Sequence, residues 1–214
     1  MDLANGESTR LVYANPDFDV SGVRSLGRYS RIVAATYADI SSHYHFFDEA
    51  LADVHAAVAG AFPGMLVDIL DEDWERRFYL MYVSSAEDPG TYYRFDSETG
   101  SLMLIARAYP LLEGRELIPM ESVSYESDDG TSIPAYLTMP DRAEPGPAVL
   151  LPHGGPSSRD YWSYDFLAQF LAASGYAVLQ SNYRGSSGYG ELWQGDGGFQ
   201  GWRRAVTDIQ AGYR

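Results

Sequence analysis

The stretch that most constrains how this chain folds is Ala148-Val149-Leu150-Leu151-Pro152-His153-Gly154-Gly155-Pro156. Four successive apolar residues are too few for a helix and read as a strand buried on both faces, as in a parallel sheet. The strand stops at once in a His-Gly-Gly-Pro turn. Paired glycines bring backbone N–H groups close to a ligand with no Cβ in the way. At the end of a sheet strand such a turn can supply an N–H to an oxyanion hole. The competing reading is a plain strand-to-loop turn with a structural histidine, since turns rich in Gly and Pro are common.

The residues that follow favour the first reading. Residues 164–173 read as a helix with Phe166, Phe170 and Ala173 on one face and Gly175 past its end. Residues 176–180 are a second apolar strand. Strand, glycine turn, helix, glycine and strand make a βαβ-like unit on an α/β scaffold. Just upstream, residues 122–126 and 133–138 are two strands across the turn Asp128-Asp129-Gly130, and Pro134 favours an edge position. Downstream, residues 181–190 surround Arg184 with glycine and serine, which predicts a tight loop fixed by Arg184 on a carboxylate or carbonyls. A phosphate cradle is discounted, because the Walker spacing and Gly-x-Gly-x-x-Gly are both missing. Residues 202–214 open a further helix, with Ala205, Ile209 and Gly212 among its less polar positions.

Residues 11–106 read differently, as short strand candidates separated by turns. Residues 30–37, 77–83, 91–96 and 101–105 are the clearest, the last two flanking the hairpin turn Ser97-Glu98-Thr99-Gly100. Arg31 to Asp48 resembles Arg77 to Asp96, a faint repeat at about 46–48 residues, within the ~40–50 residues of a propeller blade. Between the copies, Phe47, Leu51, Val54 and Val58 form an amphipathic stripe, with Asp48 and Glu49 suited to a first turn and Pro63-Gly64 to an end. His43, His45 and His55 lie near this segment without a supporting carboxylate pattern, so no metal site is assigned. Asp71-Glu72-Asp73 reads as a solvated turn, since calcium-loop spacing is missing.

Composition narrows the partners. A formal charge of −15 opposes nucleic acid or an anionic membrane. Seventeen tyrosines suit β-rich structure. The absence of cysteine removes disulfides, a thiolate nucleophile and cysteine-based metal sites. No run approaches the ~18 apolar residues of a spanning helix. Residues 1–10 show no signal-peptide pattern, so the expected location is the cytoplasm.

Three segments in order, residues 123–140, His153–Pro156 and residues 175–190, resemble the prolyl oligopeptidase family of serine peptidases, of the dipeptidyl aminopeptidase and acylaminoacyl-peptidase type. The resemblance implies a mixed fold: the C-terminal blades of a β-propeller followed by the N-terminal half of an α/β-hydrolase domain. Residues 1–109 would be partial propeller with one inserted helix at about 46–61, residues 110–119 a linker, and residues 120–214 partial hydrolase. It further implies Ser-His-Asp acyl transfer on short peptides, with no cofactor and with homo-oligomerisation left open. His153, Gly154, Gly155 and Pro156 would lie beside the oxyanion hole, Gly155 giving the backbone N–H. Relatives with Tyr at position 153 use its hydroxyl there, a role His153 does not inherit. Asn182, Tyr183, Arg184 and Gly185 would wall the substrate pocket. The family's Gly-x-Ser-x-Gly nucleophile elbow does not occur in the sequence; Gly185-Ser186-Ser187-Gly188-Tyr189 fails at its last position. The triad is therefore expected beyond Arg214, the chain alone inactive and prone to aggregate. An esterase on the same scaffold, or a non-catalytic interaction remnant, is the alternative.

Overall fold

Short strands of mixed polarity, broken by turns, build two antiparallel sheets in the first half of the chain. The computed structural model describes residues 10–141, 146–155, 157–195 and 201–214; Pro156 of the glycine turn lies outside them. Strands β1 (Val20–Leu26), β2 (Arg31–Ala38) and β3 (Ser42–Phe46) form the first sheet. Helix α1 (Glu49–Ala61) leads into the second, a four-stranded meander of β4 (Leu66–Glu72), β5 (Phe78–Ser85), β6 (Asp88–Asp96) and β7 (Ser101–Arg107). Both sheets and the helix share one core, in which Val33, Leu51, Val58, Met81 and Val83 are fully buried. Each such side chain contributes roughly 1.5–3 kcal/mol by leaving water. Up to Arg107 the described residues form these two sheets and no closed ring of blades.

The helix starts later than its apolar stripe suggested. Asp48, in extended backbone, caps it by accepting the Leu51 N–H. Phe46 ends β3 and Phe47 is exposed, so the buried stripe is Leu51, Val54 and Val58. Strands β1 and β4 had no clear sequence signal. Asp71 and Glu72 are no solvated turn: they end β4, and Glu72 is buried against Arg31.

After a single 3-10 turn (Pro110–Leu112), the third sheet takes the order β10-β11-β9-β8, with β8 (Met120–Glu126), β9 (Ser132–Thr138), β10 (Ala148–Leu150) and β11 (Ala177–Ser181). The β10–β11 pair is parallel and is joined through α2 (Phe166–Ala173); the other pairs are antiparallel. Strand β9 is internal, against the edge position that Pro134 suggested. The ladder to β11 ends at the Ser181–Ala135 pair, where the Pro134 carbonyl accepts the Asn182 N–H, so the missing proline N–H interrupts no bond inside that ladder.

Helix α2 turns the opposite way from its aromatic pattern. Ala168, Gln169 and Ala172 are buried, and the alanines pack on Val178, while Phe166 and Phe170 are 64% and 66% exposed. Small side chains let helix and sheet approach closely. The short α3 (Glu191–Gln194) follows, then α4 (Trp202–Ala211), which buries Ala205, Asp208 and Ala211 rather than the Ile209 side. Among the described residues no helix is long and apolar enough to cross a membrane.

Candidate active-site loop

The glycine turn sits at the carboxyl end of β10, the side on which ligands bind in open α/β sheets. Leu151 still donates to Leu179 at 2.9 Å, and the chain leaves the sheet at Pro152. Gly155 adopts φ +132°, and a Cβ there would stand 2.9 Å from the Ser157 nitrogen, so the turn requires glycine at this position. Gly154 and Gly155 are both exposed. Among the described residues neither N–H has a hydrogen-bond partner.

His153 is anchored on every side. Its ring stacks on Tyr183, centroids 4.5 Å apart. The Tyr183 hydroxyl donates to the His153 carbonyl at 2.8 Å. His153 Nδ1 lies 2.9 Å from the Gly154 carbonyl oxygen, and Nε2 lies 2.7 Å from Ser186 Oγ. Burial pushes the imidazole pKa down from its ordinary value, opposed by the bond to Gly154.

Of the residues after β11, Tyr183 meets this turn and the others are held elsewhere. Asn182 is fully buried: its Oδ1 accepts the Asp160 N–H at 2.8 Å, and its amide donates to the Asp160 carbonyl at 3.0 Å and to Tyr189 Oη at 2.8 Å. Tyr183 is buried under His153. Gly185, at φ +109°, donates to the Trp193 carbonyl at 2.9 Å. Arg184 turns away from the glycine turn. Its Nε and Nη2 fork onto Asp208 at 2.9 and 2.6 Å, and Nη1 reaches Asp129 at 2.6 Å. That guanidinium holds the Asp129 carboxyl well below the usual carboxylate range, and the bond to Asp208 holds the arginine pKa above its own.

Arg159, a residue without a sequence signal, ties the turn to the first sheet. Its guanidinium donates to the Ala38 carbonyl at 3.2 Å, to the Asp39 carbonyl and to Tyr189 Oη, and lies 4.3 Å from the Tyr189 ring centroid. Tyr136 Oη and the Trp162 N–H both donate to the Ile40 carbonyl, at 2.7 and 3.0 Å. Between the first sheet and the turn lies a cleft of about 640 Å³, lined by Asp19, Ser158, Arg159, Ser187, Gly188 and Glu191 among others. The three upstream histidines stand apart in function: His43 faces Asp39, His45 stacks on Tyr13, and His55 Nε2 lies 3.0 Å from the Val67 carbonyl oxygen. Ser186 and Asp208 also escaped the sequence. A serine in a serine-rich loop carries no signal, whereas Asp208, three residues after Ala205 on one helical face, could have been flagged as a buried acid.

Residues 162–214 match the prolyl oligopeptidase family. The chain is 33% identical over 200 residues to dipeptidyl aminopeptidase BIII of Pseudoxanthomonas mexicana, covering 89% of this chain and 29% of that protein. The fold is similar to that of the Pyrococcus horikoshii acylaminoacyl peptidase, with a TM-score of 0.63 at 18% identity, over 92% of this chain and 30% of that one. It is also similar to a puromycin-hydrolyzing peptidase of Mycobacterium tuberculosis, with a TM-score of 0.61 at 20% identity, over 89% and 30% of the two chains. The chain thus spans 29% of the length of the Pseudoxanthomonas relative.

Proposed function

The chain belongs to the prolyl oligopeptidase family of serine peptidases, and we propose that it supplies the oxyanion-binding side of an enzyme that hydrolyses short peptides by Ser-His-Asp acyl transfer. The observation that carries this reading is the pair of exposed glycines, Gly154 and Gly155, whose N–H groups have no partner among the described residues, at the carboxyl end of a parallel strand. A tetrahedral intermediate needs such donors, already oriented, where its oxygen becomes negative; removing one typically raises the barrier by about 3 kcal/mol. Substrates of the short-peptide class are supported by the similarity to a dipeptidyl aminopeptidase.

In this reading residues 1–109 are the last blades of a propeller with α1 inserted, residues 110–119 a linker, and residues 120–214 the opening part of the hydrolase domain. Two successive antiparallel sheets of three and four strands support the blades. His153–Pro156 edges the oxyanion hole. Of the residues expected to wall the pocket, Tyr183 supports the turn directly, while Asn182, Arg184 and Gly185 brace the loop after β11 on Asp160, Asp208 and Trp193. The nucleophile belongs to polypeptide outside these 214 residues, since the sequence holds no Gly-x-Ser-x-Gly.

The test uses both the purified chain and the native product in its source. The 214-residue chain should neither hydrolyse aminoacyl or acyl-peptide anilides nor take up a fluorophosphonate. Antibody against residues 120–214 should detect a native species well above 23.7 kDa that does take up the label. In that species Gly155→Ala should lower kcat about 100-fold with little change in KM. Turnover by the 214-residue chain, or an unlabelled native product of 23.7 kDa, would overturn the reading.

A further inference from the structure

We propose that a second pocket, of about 370 Å³ between the β4–β5 ladder and residues 161–164, binds an organic cation: an ammonium or guanidinium group on a short apolar stem. A space of this size suits a small ligand. Strand β4 buries Val67 and Ile69 in the core of the first half, so Asp68 between them is turned to the opposite face of the sheet. There Asp68 is registered against Tyr82 of β5, and Leu66 against Ser84. Tyr161, Trp162 and Tyr164, on the segment that follows the glycine turn, form the facing wall. Tyr109 stands beside Tyr164, their ring centroids 5.2 Å apart.

The lining selects by charge. Among the described residues that line the pocket, Asp68 is the only charged one. Its Oδ1 accepts the Tyr44 hydroxyl, a neutral donor, and among the described residues no basic side chain pairs with the carboxylate. An anion would be repelled here, and a neutral ligand would gain little from the charge. A cation is attracted both by Asp68 and by the π-electrons of the surrounding rings, while its stem displaces water from the aromatic walls. Ser84, also in the lining, offers a hydroxyl oxygen that can accept an N–H. The walls are ordered in advance, which lowers the cost of binding. Tyr82 Oη donates to the Pro89 carbonyl at 2.6 Å, and its ring lies so close to Gly90 that a Cβ there would stand 2.2 Å from the ring's Cζ. Trp162 donates its backbone N–H to the Ile40 carbonyl at 3.0 Å and its indole N–H to the Met120 carbonyl at 2.9 Å. Tyr161 lines both this pocket and the cleft beside the glycine turn, so the two spaces meet at its side chain. The cation therefore has two possible sources: a lysine or arginine side chain of a peptide, or a free amine.

The test is made on the 214-residue chain by ¹H–¹⁵N NMR of the Trp162 indole N–H, identified by its loss in Trp162→Phe. The chain is titrated with n-butylammonium, n-propylguanidinium and neutral n-butanol. Both cations should shift the signal saturably, and n-butanol at the same concentrations should not. Asp68→Asn keeps an acceptor for Tyr44 and should weaken cation binding about tenfold. Tyr109→Leu, at a ring 43% exposed, should weaken it about threefold. Tighter binding of N-acetyl-lysine methylamide than of n-butylammonium assigns the pocket to a basic residue of a peptide; equal or weaker binding assigns it to a free amine. No saturable shift with either cation, an equal shift with n-butanol, or cation binding unchanged in Asp68→Asn overturns the proposal. Should that variant not fold, the cations against n-butanol on the native chain decide. No turnover enters these titrations, so their outcome is independent of the oxyanion reading.

Discussion

Asp208 Oδ1, on α4, lies 2.6 Å from Arg184 Nη2 on the loop leaving β11, and the Asp208 side chain is 0% exposed. Arg184 Nε and N–H complete the clamp on Oδ2 at 2.9 and 3.1 Å, and Ser127 Oγ donates to Oδ1 at 2.6 Å. Four donors on one carboxylate join β8, the β11 exit and α4. Removing Asp208 strips three bonds from Arg184 and leaves the exposed Asp129 as its remaining carboxylate partner. Asp208→Ala should therefore cost about 3–5 kcal/mol of unfolding free energy in urea. Arg184→Lys keeps the charge but loses the planar fork, so it should still destabilise measurably. A loss below 1 kcal/mol in Asp208→Ala would show the clamp to be dispensable.

The repeat in the first half is built around matching ion pairs. Arg31 bonds Asp48, and Arg77 Nη2 bonds Asp96 at 2.9 Å, so each arginine opening a strand meets the aspartate that ends its copy. The pairs differ in setting. Arg31 Nη2 also reaches Glu72 at 3.0 Å, and Glu72 is only 6% exposed, whereas the second partner of Arg77, Glu98, is 65% exposed. Arg31→Ala should cost about 1.5–3 kcal/mol, the range for hydrogen bonds to charged groups. Arg77→Ala should lower the melting temperature less, and that smaller effect should shrink further in high salt. Equal losses would mean that burial of Glu72 does not separate the two copies.

Asn182 shows why a polar residue in a glycine-rich loop can be structural. Its amide closes both backbone groups of Asp160 and adds Tyr189 Oη, all without exposure. Asn182→Ala should strand the Asp160 N–H, at about 1–3 kcal/mol for the group left unsatisfied, while the Asp160 carbonyl keeps the Arg159 Nε–H at 3.3 Å. Asn182→Asp should be worse than Asn182→Gln at pH 7, because the acid loses the donor to the carbonyl and adds charge. Thermal denaturation of the three variants ranks them, and an Asp variant as stable as the native chain would refute the clamp.

How much of this was legible depended on whether the signal was local. The strand at Ala148 and the glycine turn that ends it were readable because an apolar run and a positive φ at Gly155 are local signals, but β10 is an edge strand with Ala148 exposed and Val149 and Leu150 half-buried, not a strand buried on both faces. The aromatic face of α2 misled, because Phe166 and Phe170 share a stripe while the sheet accepts only the alanines on the other side. Pro134 misled for a related reason: whether its missing N–H matters depends on where the ladder to β11 stops. Arg159, Ser186 and Asp208 find partners 24 to 121 residues away in sequence, a separation that no local pattern reports.

Asp160 carries the pH dependence. Burial, reinforced by the nearby Asp165 carboxylate, pushes its carboxyl up to about 6 from an ordinary 3.8, against the opposing Gln180 amide and Arg159 guanidinium. Among the described residues its Oδ2 and the Gln180 Oε1 are buried without partners. Between these two pKa values the folded chain holds a proton that the unfolded chain has lost, so stability falls as pH rises through that window. The charged form then burdens the fold at neutral pH by about 1–3 kcal/mol. Asp160→Asn removes the charge and supplies a donor beside the orphaned acceptor. The variant should be more stable than the native chain at pH 8 and about equal to it at pH 4, when both are unfolded in urea. A variant that is destabilised equally at both pH values would show that Asp160 is held by its geometry and not limited by its charge.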